Sequence, residues 1–317
     1  MHAIAINSPC LRIGALILAL TSGVCSGAPF KIGVLLKDKT PGFWIYAEKG
    51  VNEAAQALGV EVVVRAPPTV MDVGAQVRLL ASLANENIDA LVIAPTNPDN
   101  VEKPVAALVA KGVKVVTLDT QLKEGLAQAF VGSDQGAMGE AAAKLFVALL
   151  NEGDEVAMLR NNGIDRTVLE REKKAFDALK NVKVVLHADI FASSEKDTEE
   201  DQARLLLTKY PNTKAIFASA TRGTLATIKA IREKGLVGKV QVVGFGLYLP
   251  AEASKAIEDG ILAGWVAQQP KELGYKGVET AVALLQGKSV PAIVHPSFLV
   301  LTKENYRDPK IQSVLNP

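Results

Sequence analysis

The sequence predicts an α/β protein built on two parallel sheets, and three observations predict it. Short β-branched runs alternate with amphipathic stretches along two successive series. The first three strands begin near Lys31, Val60 and Asp89, 29 residues apart each time, which is the spacing of a βαβ unit. Strands such as LVIA and VQVVGF are apolar without alternation, as in sheets covered by helices on both faces. In the first series KIGVLL is a strand, followed by a helix over 43–58; VEVVVRA leads to a helix over 73–87, ALVIAP to one over 100–111, and KVVTLD closes the set. The second series runs from Ala129: FVGSD, a helix over 137–150, EVAMLR, a helix over 168–179, VKVVLHADI, a helix from Asp201 to Leu207, AIFASA, a helix over 224–234, VQVVGFG, and the late strand GWVAQ. No Gly/Ser/Pro-rich tether separates the series, so direct chain crossings, acting as a hinge, are expected between two domains.

The N-terminus reads as a leader. His2 and Arg12 precede an apolar run from Ile13 to Leu20, and TSGVCSGA supplies small residues for cleavage. That run is too short to span a bilayer, which needs roughly 20 apolar residues. Residues 1–27 are therefore expected to be a removed signal peptide, and Val24 ahead of Cys25 argues against a lipid anchor. Cleavage after Gly27 leaves 317 − 27 = 290 residues and takes away both cysteines, Cys10 and Cys25, so disulfides, thiol catalysis and Cys-metal sites are excluded. His187 and His295 each stand alone, without the spaced partners a metal site needs. Of 35 basic residues Arg12 leaves with the leader, giving 34 against 34 acidic; no electrostatic footprint for nucleic acid exists. No cofactor is implied, and neither a G-x-S-x-G elbow nor a strand-end histidine suggests an enzyme. A repressor would need a helix-turn-helix where the leader stands.

Open parallel sheets bind ligands at the carboxyl ends of their strands. The turns there contain Lys37 to Trp44, Asp119, Arg160 to Arg166, Ser219 to Arg222 and Gln268. Phe43 and Trp44 open a helix beside Lys37 and Lys39; their rings suit a polar ligand's flat apolar faces, although Phe43 reads equally well as core. Asp119 ends an apolar strand and can accept two hydroxyl hydrogen bonds, or cap a turn. Arg171 lies in the charged helix TVLEREKKAF, where it either reaches the cleft or pairs at the surface. The acidic stretch Asp197 to Asp201 is a solvated helix start.

Across essentially the whole mature chain the sequence resembles the periplasmic sugar-binding proteins related to ribose-binding protein, which share their fold with LacI-type repressor cores. The resemblance rests on GFW after the first strand, GVEVVVRAPPTVMDVGAQVRLLASL, IDALVIAPTNPDNVEKPVAALVAKGVKVVTLDT, FVGSDQGAMGEAAAKL, AIFASA with VQVVGFG, and VAQQPKELGYKGVETAVALLQGK. It implies a type I periplasmic binding protein: two Rossmann-like lobes joined by a three-crossing hinge, one lobe of 30–132 plus 269–295, the other of 133–268 plus 296–317. Phe43, Trp44, Asp119 and Gln268 match family ligand positions; Lys37 matches a ligand-contacting lysine of the rhamnose and autoinducer-2 binding members, to which the N-terminal lobe is most similar. Arg171 and Ser219 complete the candidate set.

The resemblance further implies a monomer in the periplasm that closes on a sugar or sugar derivative and presents it to an ABC permease, or to a membrane sensor such as a histidine kinase or chemoreceptor. This sequence departs from the ribose-type pattern at Thr120, which replaces an arginine; at Ser219, Ala220 and Thr221, in place of asparagine and aspartate; and at Gly246, in place of aspartate. Arg171 sits one residue out of register with the family's arginine. If Lys37, Arg160 or Arg166 face inward, the pocket becomes basic, suiting an acidic sugar derivative or a small diol-like molecule.

Overall fold

A computed structural model describes residues 29–40, 42–161, 166–192 and 197–315; the segment expected to be a leader and both cysteines lie outside the described residues. The elements in chain order are β1 (Lys31–Leu35), α1 (Phe43–Leu58), β2 (Glu61–Arg65), α2 (Val73–Leu83), β3 (Ala90–Ile93), α3 (Pro98–Ala110), β4 (Lys114–Leu118) and β5 (Ala129–Val131). There follow α4 (Gln135–Val147), β6 (Glu155–Arg160), α5 (Arg166–Leu179), β7 (Val185–Phe191), α6 (Glu199–Lys209), β8 (Ala215–Ala218), α7 (Thr221–Glu233) and β9 (Gln241–Gly246). The chain ends with α8 (Ala251–Glu258), β10 (Leu262–Gln268), α9 (Pro270–Leu285), β11 (Ile293–Val294), β12 (Phe298–Leu301) and α10 (Pro309–Leu315).

These strands form two six-stranded sheets, ordered β11-β5-β4-β3-β1-β2 and β12-β10-β9-β8-β6-β7. All pairs are parallel except β12, which runs antiparallel to β10 at the edge of the second sheet. FVG, the start of the second series in sequence, pairs with β4 and so belongs to the first sheet. Three passages carry the chain between sheets: β5 to α4, β10 to α9, and β11 to β12.

Local chemistry sets the helix ends. Asp72, Asn97 and Asp134 cap α2, α3 and α4 through side-chain oxygens, and Thr198 with Asp201 forms a reciprocal capping box on α6. Gly59 ends α1 in the left-handed region, which glycine enters without Cβ strain. In the second sheet Phe217 packs edge-to-face against Phe146 at 5.6 Å and Phe245 at 5.7 Å, all three fully buried. In the first, α9 lies so close to α1 that a Cβ on Gly274 would fall 1.9 Å from the Ala47 carbonyl oxygen, and one on Gly50 1.8 Å from that of Lys271. This reciprocal contact locks the helix bearing the GFW turn to the helix that begins at the second passage.

Candidate functional site

The carboxyl ends of both sheets turn toward one cavity of about 190 Å³, lined by Lys37, Phe43, Trp44, Asp119, Gln135, Arg171 and Gln268. Six of the seven residues expected at the site therefore meet in one place. Lys37, Phe43, Trp44 and Asp119 come from the first sheet's side, Gln135 and Arg171 from α4 and α5, and Gln268 from the end of β10.

Lys37 follows β1, and its Nζ donates to Asp119 Oδ2 at 2.6 Å and to Thr120 Oγ1 at 2.7 Å. Asp119 stands at φ +60°, a conformation unusual for a residue with a Cβ, which ends the strand abruptly and turns the carboxylate to the lysine. The ammonium also lies 5.6 Å from the Trp44 ring, within cation–π range. Trp44 is 7% exposed and packs in the first core, with Phe43 edge-on at 4.8 Å. Both readings of this pair hold together: the rings belong to the core and line the cavity.

Arg171 is buried in the cavity wall on the second sheet's side. Its Nε donates to Gln135 Oε1 at 2.6 Å, its Nη1 to the Ser219 carbonyl at 3.3 Å, and its guanidinium lies over Phe245 at 4.6 Å. The aromatic series Phe146–Phe217–Phe245 thus underlies the arginine. Gly139 permits the approach, since a Cβ there would lie 2.7 Å from the Arg171 Cα. The exposed, salt-bridging reading of this residue is corrected: the helical period puts Val168, Arg171, Glu172, Ala175 and Leu179 on one buried face.

Ser219 is reassigned. It is fully buried, absent from the cavity wall, and its Oγ donates to Glu172 Oε1 at 2.8 Å. It supports the site from below: its carbonyl holds Arg171 and its hydroxyl holds Glu172. Glu172, 1% exposed, also accepts from Arg160 Nε at 2.8 Å and the Asn161 amide at 3.2 Å. Arg160 is therefore neutralised, with its guanidinium between Phe176 at 5.5 Å and Phe191 at 4.7 Å. Arg222 is 80% exposed on Glu199, and the Arg166 side chain lies outside the described residues. Of the basic side chains weighed as facing inward, Lys37 lines the cavity against Asp119, whereas Arg160 is paired with Glu172.

One cavity residue, Gln135, and one carboxylate behind the wall, Glu172, escaped sequence reasoning. Gln135 opens α4 directly after the Asp134 cap, a strand-end position on the first passage that could have flagged it. Glu172 sits in the charged run EREKK, where only the helical period distinguishes an inward carboxylate from a solvated one. Gly246, where an aspartate was expected, has no room for any side chain: a Cβ would fall 1.7 Å from Trp265, whose Nε1 donates to the Tyr248 carbonyl at 3.2 Å. At the passages, His295 Nδ1 meets the Gly132 carbonyl at 2.7 Å, Ser133 Oγ donates to Gln268 Oε1 at 3.2 Å, and the Ser297 amide donates to Glu272 at 3.0 Å. His187 stacks on Tyr210 at 3.8 Å, away from the cavity. Among the described residues no cluster of His, Cys, Asp and Glu could hold a metal ion.

Known proteins resemble this arrangement throughout. The D-allose-binding periplasmic protein of Escherichia coli is 32% identical over 291 residues, covering 89% of this chain and 92% of that protein. The ribose import binding protein RbsB of Bacillus subtilis is 29% identical, covering 82% and 83%. A carbohydrate transporter solute-binding protein from Agrobacterium radiobacter, solved with D-arabinose, superposes with a TM-score of 0.76 at 29% identity, over 92% of this chain and all of that one. The periplasmic binding protein domain matches residues 32–289, and with two parallel-stranded α/β halves meeting at a shared polar cavity, the chain belongs to the periplasmic binding protein family.

Proposed function

We propose that this protein captures one small carbohydrate or carbohydrate derivative between two lobes in the periplasm and delivers it to the permease of an ABC importer. The observation that carries the reading is the cavity itself: side chains from both sheets meet in it, so a ligand that touches both walls favours the closed arrangement by its differential affinity. Binding and release are the whole task, and no bond is made or broken. The lobes are residues 30–132 with 269–295 and residues 133–268 with 296–317, and the three passages form the hinge. Residues 1–27 act as the export leader, and the mature chain works as a monomer.

Phe43 and Trp44 would stack on the apolar face of a sugar ring, Asp119 would accept from its hydroxyls, and Lys37, Arg171 and Gln268 would donate to its oxygens. Ser219 contacts no ligand in this scheme; it positions Arg171 and Glu172. Import is favoured over sensing because several relatives are named as import binding proteins.

The test is a thermal-shift and calorimetric panel of neutral sugars, sugar acids and polyols on the mature chain. A ligand present at 100 times its Kd stabilises the folded state by about 2.7 kcal/mol, a readily measured rise in Tm. No shift with any compound, together with an unchanged radius of gyration in solution scattering, would defeat the proposal.

A further inference from the structure

The hydrogen-bonding sense of the cavity wall narrows the ligand. Arginine has no acceptor, so its Nε bond fixes Gln135 with Oε1 toward Arg171 and leaves the Gln135 amide NH₂ without a partner among the described residues. Gln268 spends its Oε1 on the Ser133 hydroxyl, and its NH₂ likewise remains. The Trp44 indole N–H makes no hydrogen bond with the described residues, and Lys37 keeps one of its three N–H groups after serving Asp119 and Thr120. Asp119 is the one carboxylate lining the cavity among the described residues, and one of its oxygens is already held by Lys37. Three ways of adding an acceptor to the second wall are closed: Glu172 is turned away onto Arg160 and Ser219, the Ser219 hydroxyl donates to Glu172, and Trp265 fills the space beside Gly246.

The amide NH₂ groups of Gln135 and Gln268, with the Arg171 guanidinium beside them, thus face a first wall that offers one carboxylate among the described residues. A neutral sugar brings hydroxyls whose protons need acceptors as much as their oxygens need donors. A carboxylate brings acceptors alone. We propose, resting on the carbohydrate-binding reading above, that the ligand is a carboxylate-bearing sugar, an aldonic or uronic acid, with its carboxylate on the Gln135 and Gln268 amide NH₂ groups and a hydroxyl on Asp119.

The experiment is titration calorimetry of the mature protein with D-gluconate, D-galactonate, D-glucuronate and D-galacturonate, each against its neutral aldose or alditol and, for D-galacturonate, its methyl ester. Hydrogen bonds to a charged group predict that at least one acid binds about tenfold or more tighter than its neutral counterpart. The Gln135→Glu variant keeps an acceptor for Arg171 and replaces the NH₂ by an oxygen; with Tm unchanged, it is expected to weaken the acid about tenfold and a neutral sugar by no more than about threefold. Neutral sugars binding as tightly as their acids, the ester matching the free acid, or Gln135→Glu weakening both classes alike would overturn this inference and leave carbohydrate capture standing. Silence from both classes would overturn both.

Discussion

Replacing Gly274 by alanine tests the α1–α9 lock. A Cβ at this position would lie 1.9 Å from the Ala47 carbonyl oxygen, whereas real Cβ atoms essentially never come within 3.0 Å of a neighbour. The helices must separate by about 3.0 − 1.9 = 1.1 Å, and the obstruction is backbone, so no rotamer change relieves it. Overpacking of side chains costs about 1–3 kcal/mol, and a backbone clash belongs at the upper end, about 3 kcal/mol. Gly59→Ala supplies the control: it forces a Cβ into φ +65° with nothing within 4 Å, so it carries conformational strain alone, about 1 kcal/mol. Urea unfolding followed by circular dichroism gives both values. Because α1 begins with Phe43 and Trp44 and α9 begins where the second passage ends, Gly274→Ala should also weaken ligand binding, and Gly59→Ala should not. A Gly274→Ala cost no greater than that of Gly59→Ala would refute the lock.

Three other outcomes are expected. Lys37→Met removes a ligand donor and strands Asp119, which should lower affinity about ten- to hundredfold by calorimetry with little loss of Tm; an unchanged Kd would remove Lys37 from the site. Arg160→Met leaves the buried Glu172 carboxylate without its cation and should cost about 3 kcal/mol in urea unfolding, with a cost below 1 kcal/mol counting against the buried pair. The Lys209 ammonium, and then the Tyr210 hydroxyl, hold the Asp189 carboxyl down to about 2 from an ordinary 3.8. Its folded-state value is depressed, so its contribution is present above about pH 4 and is lost as pH falls toward 2. The stability difference between the parent and Asp189→Asn should shrink to nothing across that window, and a constant difference would contradict the pairing.

Much of the fold was legible because period and spacing are local properties. The helix over 43–58 was bounded to the residue, since GF opens it and Gly59 closes it. Ends without such punctuation drifted: the helix placed over 73–87 stops at Leu83, as Ala84 to Asn87 turn off in loop geometry with Asn87 at positive φ. The short β11 and the antiparallel β12 carry too few residues to show a period, and their pairing depends on partners 30 or more residues away. The site was legible where strand ends mark it, at Lys37, Asp119 and Gln268. It was illegible where partner choice decides the role. Nothing in AIFASA says that the Ser219 hydroxyl points down to Glu172, and no count of charges says that Lys37 and Arg160 each meet a carboxylate.

The departures from the ribose-type pattern follow from a linked set of packing choices. Trp265 occupies the volume beside Gly246, so a carboxylate cannot return there without the loss of the indole. That indole anchors the Tyr248 carbonyl, and Phe245, next to Gly246, carries the Arg171 guanidinium on its face. Arg171 in turn takes the Ser219 carbonyl and the Gln135 oxygen, which turns the Gln135 NH₂ to the cavity. Each step removes an acceptor or presents a donor, and each depends on the one before it through direct contact. Gly246→Asp alone should therefore fail to restore a ribose-like site, because the aspartate would displace Trp265 instead of facing ligand. The paired change Gly246→Asp with Trp265→Leu makes room for the carboxylate, and recovery of neutral-sugar affinity by the pair, with none from the single change, is the outcome this linkage requires.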